Sequence, residues 1–304
     1  MNKTIKKYVI ALTICLFVTG CSTRQPDQAK LCPLYATIST GHIEYYQIGS
    51  GSPIVLIAGY ATDVTSWNRD FLAALAKQHR LIILNNRNVG SSRVSTSHYD
   101  SRDMANDVAQ LIQHLQLKKP SVLGISMGGM IAQQVAVSHA KETGSLILIN
   151  TAIAGKKGVR PAPDIEKSML NIPPNKLGFY SVAVRSFFPT EWKARMASSL
   201  MVDRFQPALH HDIDLSAVMP EQRRVILKWA DDNVTAKKIQ NVNMPTLILN
   251  GRADRVIPPI NSEILATNIP HATLRRWRDG GHAMIYQYPK EMAEVINQFL
   301  ASVT

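Results

Sequence analysis

Val122-Leu123-Gly124-Ile125-Ser126-Met127-Gly128-Gly129-Met130-Ile131-Ala132 is the stretch of this 304-residue chain whose reading decides the fold. Residues 122–125 are a short β-prone apolar run, and 127–138 have the length and composition of a helix. Between them a single tight turn must reverse the backbone around Ser126. Glycines stand two residues before and two after it, where a Cβ would collide with the turning chain. Such a turn lifts the Ser126 hydroxyl clear of the backbone, and the N-terminal N–H groups of the following helix favour negative charge developing beside it. Strand, G-x-S-x-G and helix in succession present a serine as a nucleophile; a glycine-rich turn with an idle serine is the blander alternative.

Working outward, the chain alternates short β-rich runs with longer helical ones. Strands are predicted at 35–39 and 43–48 about a hairpin at Thr40-Gly41, then at 54–57, 81–84, 122–125, 146–150, 246–250 and 272–277. Helices are predicted at 67–78, 101–115, 127–138 and 290–300. This order implies an α/β protein with a mostly parallel sheet flanked by helices. The interval 151–244 breaks the rhythm with Pro161, Pro163, Pro173, Pro174, Pro189, Pro207 and Pro220. It reads as a helical cap inserted between two sheet strands. Phe179, Tyr180, Phe187, Phe188, Trp192, Met196, Met201 and Phe205 crowd its middle, either as the cap's own core or as the lining of an apolar substrate pocket.

A serine hydroxyl needs a base, and the base needs an acid to orient it. His282, in Gly280-Gly281-His282-Ala283, follows the last predicted strand on a glycine loop. His79, His114, His139 and His271 fall near element ends and read as surface residues. Asp254 follows the strand at 246–250 and completes the chain order Ser, Asp, His; Asp279 is the rival acid, but it lies three residues from His282 on the same loop. His210, His211, Asp212 and Asp214 lack any metal-ligand spacing and read as a polar cap loop, so no metal and no organic cofactor are expected.

With these residues assembled, the chain resembles the α/β-hydrolase superfamily over roughly 43–300. GISMGGMIAQ, NGRADRVIPP and GGHAM carry the likeness, nearest to an esterase, lactonase and perhydrolase-like branch. The resemblance implies an oxyanion hole of two backbone N–H groups, at Met127 and at Tyr60. The family often has His-Gly where this chain has Ala58-Gly59-Tyr60, so the bracing of that loop is in question. Asn86-Arg87-Asn88-Val89-Gly90-Ser91 resembles the family's DxRGxGxS turn, with Asn88 replacing its first glycine. The implied activity is hydrolysis of carboxylic esters, lactones or thioesters through an acyl-enzyme on Ser126, with a small, apolar substrate. A non-catalytic binding protein on the same fold is one alternative; an acyltransferase, C–C hydrolase or lyase is another. A serine at the turn argues against relatives that use a carboxylate nucleophile there.

The N-terminus reads as an export signal over 1–20: Lys3, Lys6 and Lys7, then an apolar run from Tyr8 to Val18, too short to span a bilayer. Val18-Thr19-Gly20-Cys21 resembles a bacterial lipobox, implying a lipid on Cys21, a tether over 21–30 and a folded domain over 31–304. Ser22 resembles the sorting pattern of outer-membrane lipoproteins, which implies the outer membrane, facing the periplasm. Of three cysteines, Cys15 leaves with the signal and Cys21 takes the lipid, so Cys32 is expected to stay free. Composition is globular, with 45% hydrophobic and 18% charged residues. The net charge of +12 comes without a basic helix, zinc spacing or aromatic-basic repeat, so nucleic acid is not an expected partner. Oligomeric state is not legible.

Overall fold

In chain order the strands are β1 (Leu34–Ile38), β2 (Gly41–Ile48), β3 (Ser52–Ile57), β4 (His79–Leu84), β5 (Arg93–Val94), β6 (Ser121–Ile125), β7 (Ser145–Ile149), β8 (Thr246–Gly251) and β9 (Ala272–Trp277). They come from a computed structural model that describes residues 32–96, 98–173, 176–206 and 216–303. The expected signal, Cys21, the tether and the 210–214 cluster lie outside the described residues. One sheet runs β1-β2-β4-β3-β6-β7-β8-β9, with β5 added on β2. β1 and β4 pair antiparallel with β2; every pair from β4 across to β9 is parallel. The mostly parallel sheet with a leading hairpin is the predicted architecture.

Parallel strands need both faces covered, and the sequence supplies two apolar sets in alternation. Val55, Ile57, Val122, Leu146 and Leu148 face one core with α2 (Ser101–His114) and α3 (Met127–Ser138), while α1 (Arg69–Ala76) covers the other face. There Ile54, Leu56, Leu123, Ile147 and Ile149 meet Phe71, Leu72 and Leu75. β7 and β8 are buried at every position. Each such large side chain contributes about 1.5–3 kcal/mol relative to exposure.

Between β7 and β8 the chain forms α4 (Pro163–Leu170), α5 (Lys176–Phe187), α6 (Lys193–Val202), α7 (Met219–Asp231) and α8 (Asn233–Lys238). Pro163 and Pro220 sit in first turns, where proline starts a helix rather than breaking it. The end of α6 is stitched to the start of α1: Arg69 N donates to the Asp203 carbonyl at 2.7 Å and Phe205 N to the Trp67 carbonyl at 2.9 Å. After β8 come α9 (Ile260–Asn268), α10 (Met284–Gln287) and α11 (Pro289–Val303), whose Met292, Ile296 and Leu300 complete the second core.

Several features depart from expectation, and one is His79: read as a surface residue, it is buried at the head of β4, beside the Ser52 hydroxyl. α1 begins at Arg69 instead of 67, because Trp67 is extended and Asn68 Oδ1 caps the helix by accepting from Phe71 N at 3.0 Å. α9 was not predicted: it follows two prolines and buries Asn261 and Ser262, which blurs its apolar period. Cys32, expected free, is disulfide-bonded; counting cysteines assumes fates for the other two that the fold need not respect. Among the described residues no helix is long and apolar enough to cross a membrane.

Candidate active site

Ser126 is the hinge residue between β6 and α3, at φ 56° and ψ −122°. Its backbone is fixed from both sides: Ser126 N donates to the Ile149 carbonyl at 3.0 Å, and Thr151 Oγ1 donates to the Ser126 carbonyl at 2.8 Å. The flanking glycines are demanded by space. A Cβ at Gly124 would stand 2.1 Å from the Gly128 carbonyl oxygen, and one at Gly128 would stand 2.1 Å from that of Ile57.

His282 lies on the loop after β9, and Asp254 on the loop after β8. His282 Nδ1 is 2.8 Å from Asp254 Oδ2, and its Nε2 is 3.0 Å from Ser126 Oγ. An ionised carboxylate only accepts, so Nδ1 carries the proton in this arrangement and Nε2 is left to accept from the serine hydroxyl. Asp254 is 3% exposed, and its other oxygen accepts from the N–H groups of Val256 and Ile257 at 2.8 and 2.9 Å, which locks the carboxylate. Asp279, the rival acid, is occupied elsewhere. It accepts from Tyr288 OH and, at 2.9 Å, from Trp192 Nε1, and these bonds hold its pKa below the usual value.

Two residues the motifs do not mark hold the histidine loop. Asn150, fully buried at the end of β7 with φ 44°, donates Nδ2 to the carbonyls of Gly281 and His282 at 2.9 and 2.8 Å. Its Oδ1 accepts from Gly251 N at 2.9 Å, so one amide spans the strand beside Ser126 and the loops bearing His282 and Asp254. Gln287 on α10 accepts from Gly281 N at 2.7 Å and donates to the Asp279 carbonyl at 3.0 Å. The only sequence signal for Asn150 is a polar residue closing an apolar strand.

The Tyr60 and Met127 segments flank Ser126. A Cβ on Gly59 would lie 3.3 Å from the Ser126 Cβ, which puts the Gly59-Tyr60 backbone against the serine; Met127 opens α3 directly after it. The loop is braced without a histidine. Gln222 of α7, fully buried, accepts from Ala61 N at 2.8 Å, and Asn86 Nδ2 donates to the Ala58 carbonyl at 3.2 Å. Asn88 takes φ 61°, the left-handed conformation a glycine would otherwise supply, and its Oδ1 accepts from Val94 N at 3.2 Å. Beside it Arg87 grips Asp107 with two bonds, of 2.6 and 2.7 Å.

Ser126 and His282 open into a cavity of about 120 Å³. The large apolar side chains of the cap go beyond the two roles the sequence allowed, because some join the core on the second face of the sheet. Phe179, Tyr180 and Phe187 line the cavity, Phe188, Met196 and Phe205 are buried in the core, and Met201 is exposed. His282, Phe187, Phe179 and Tyr180 form a row of edge-on rings with centroids 5.1, 6.1 and 6.1 Å apart. Among the described residues no three His, Cys, Asp or Glu side chains group as metal ligands.

This fold and this loop arrangement define a class: residues 52–289 match the alpha/beta hydrolase fold family, and the chain belongs to it. Its relatives are distant. It is 24% identical over 260 residues to RutD of Azorhizobium caulinodans, described as a carbamate hydrolase, covering 85% of this chain and 95% of that one. An alpha/beta hydrolase fold protein from Chitinophaga pinensis superposes with a TM-score of 0.78 at 23% identity, over 90% of this chain and 99% of that one. A thermophilic esterase from Thermogutta terrifontis gives a TM-score of 0.69 at 23% identity, with the same coverage.

Proposed function

We propose that this protein is a serine hydrolase that cleaves carboxylic esters, lactones or thioesters of small, largely apolar substrates. The observation that carries the reading is the pair of contacts on His282, 3.0 Å to the Ser126 hydroxyl and 2.8 Å to the Asp254 carboxylate. Ser126 Oγ attacks the carbonyl carbon while its proton passes to His282 Nε2; Asp254 stabilises the imidazolium and keeps its orientation. The oxyanion receives the N–H groups of Met127 and Tyr60, aided by the N-terminus of α3. His282 returns the proton to the departing alkoxide, leaving an acyl-enzyme on Ser126. Water then attacks the acyl carbon, giving its proton to His282, and the acid leaves as Ser126 is reprotonated. A carbamate, the substrate class in the name of RutD, also carries an acyl carbonyl.

The test is hydrolysis of 4-nitrophenyl esters from acetate to palmitate by the whole chain and by Ser126→Ala. Loss of about 10³-fold or more in the variant is expected. Equal rates in the two proteins would overturn the reading.

The proposed location is the bacterial envelope, with a lipid on Cys21 holding the protein to the outer membrane on its periplasmic side. Support comes from the lipobox-like sequence alone. The intact mass of the exported protein tests for the lipid on Cys21, and Cys21→Ala should release the protein from membranes.

A further inference from the structure

Beyond Ser126 and His282, most polar atoms lining the cavity are already bonded. Thr62 Oγ1 donates to the Gly59 carbonyl, Ser66 Oγ to the Asp63 carbonyl, and Tyr286 OH to the Ser66 carbonyl. Two are not. The indole N–H of Trp67 and the hydroxyl of Tyr180 are buried without a hydrogen-bond partner among the described residues, and both side chains line the cavity. Buried donors are seldom left this way in folded proteins, because water satisfied them before folding.

The two belong to one wall. Arg204, also lining the cavity, sets its guanidinium 5.2 Å from the centroid of the Tyr180 ring, and its backbone bridges to Asn68, the neighbour of Trp67. The row of rings from His282 through Phe187 and Phe179 to Tyr180 leads from the reacting end of the cavity to this wall.

We propose that the wall is a subsite for an uncharged oxygen acceptor on the substrate: a ketone, ether or hydroxyl oxygen set several bonds from the scissile carbonyl on an otherwise apolar chain. The proposal rests on the serine-hydrolase reading above. An indole N–H only donates, so its complement is an acceptor. Charge balance argues against a carboxylate there. Arg204 already faces Asp63 at 3.8 Å and donates Nε to the Thr65 carbonyl at 2.9 Å, and Asp63, 7% exposed, would confront a second anion.

The experiment compares kcat/KM of the whole chain on 4-nitrophenyl 5-oxohexanoate, 4-nitrophenyl hexanoate and the 4-nitrophenyl monoester of glutarate. The keto ester should exceed its alkyl counterpart by about tenfold, the scale of one or two added hydrogen bonds. Tyr180→Phe and Trp67→Phe should each bring that ratio toward one, whatever they do to absolute rates. A wild-type ratio of one, a ratio untouched by both substitutions, or preference for the glutarate monoester overturns the proposal. Calorimetric titration of Ser126→Ala with the matched ethyl esters reads binding without turnover. Equal Kd values for keto and alkyl esters overturn the subsite, whereas a Kd difference with no wild-type turnover of any ester overturns only the hydrolase reading.

Discussion

His282 is held at three points: by Asp254 through its ring, by Asn150 through its carbonyl, and by Gln287 through its neighbour Gly281. On the proposed mechanism these holds differ in consequence. Asp254→Asn should lower kcat/KM by about 10³–10⁴-fold, by disturbing the tautomer and removing the charge that stabilises the imidazolium. Asp279→Asn should leave it within about twofold, since that carboxylate bonds Tyr288 and Trp192 instead of the histidine. Steady-state kinetics on one nitrophenyl ester decide between the two acids. Asn150 is a positioning residue: Asn150→Ala should cost about 10²-fold in kcat with little change in KM, because the bound ester is untouched while the base drifts. A matching loss in KM would instead mean a collapsed pocket. Ser126, Asp254 and His282 were legible because each follows a predicted strand within a short motif. Asn150, Gln222 and Gln287 act across the fold on backbone atoms, which leave no mark in a motif.

At the scale of elements, the parallel strands read clearly, since burial on both faces forces continuous apolar runs such as 146–149. α2 was equally plain, and its start is fixed by reciprocal bonds between Asp100 and Asp103. What the pattern hid were elements whose buried faces are polar, α9 above all, and the tertiary work of the 86–92 turn. There Glu44, 3% exposed, accepts from Tyr46 OH, Asn85 Nδ2 and Ser91 N, while Arg87 and Asp107 pair at 3% and 4% side-chain exposure. Breaking one side of such a pair leaves a buried charge, so Arg87→Met should destabilise by about 3–5 kcal/mol. Urea unfolding of the variant measures it; a change under about 1 kcal/mol would mean that water reaches Asp107.

For the molecule as a whole, acid should lower stability over two successive pH ranges. His79, 5% exposed at the head of β4, has its pKa lowered from 6.5 by burial, against the partial support of Asn297 and Ser52. Its neutral form is the folded form, so the unfolded chain binds the extra proton. That contribution to stability is whole above pH 6.5 and is lost as pH falls through the lowered value. Asp279 acts at lower pH still: its pKa is depressed, so its contribution holds above the ordinary carboxylate value and disappears below it. Tm should therefore decline from pH 7 toward 5, and less steeply in His79→Gln; identical slopes would remove His79 from the account. The backbone of Ser126 has a consequence of a different kind. Held at φ 56° and ψ −122°, where a side chain is strained by about 1–3 kcal/mol, it stores a tension that the rest of the fold sustains. Ser126→Gly should release it, giving a protein that melts several degrees higher and turns nothing over. A strained turn in the backbone would then be a standing tax on durability, levied at the residue proposed as the nucleophile.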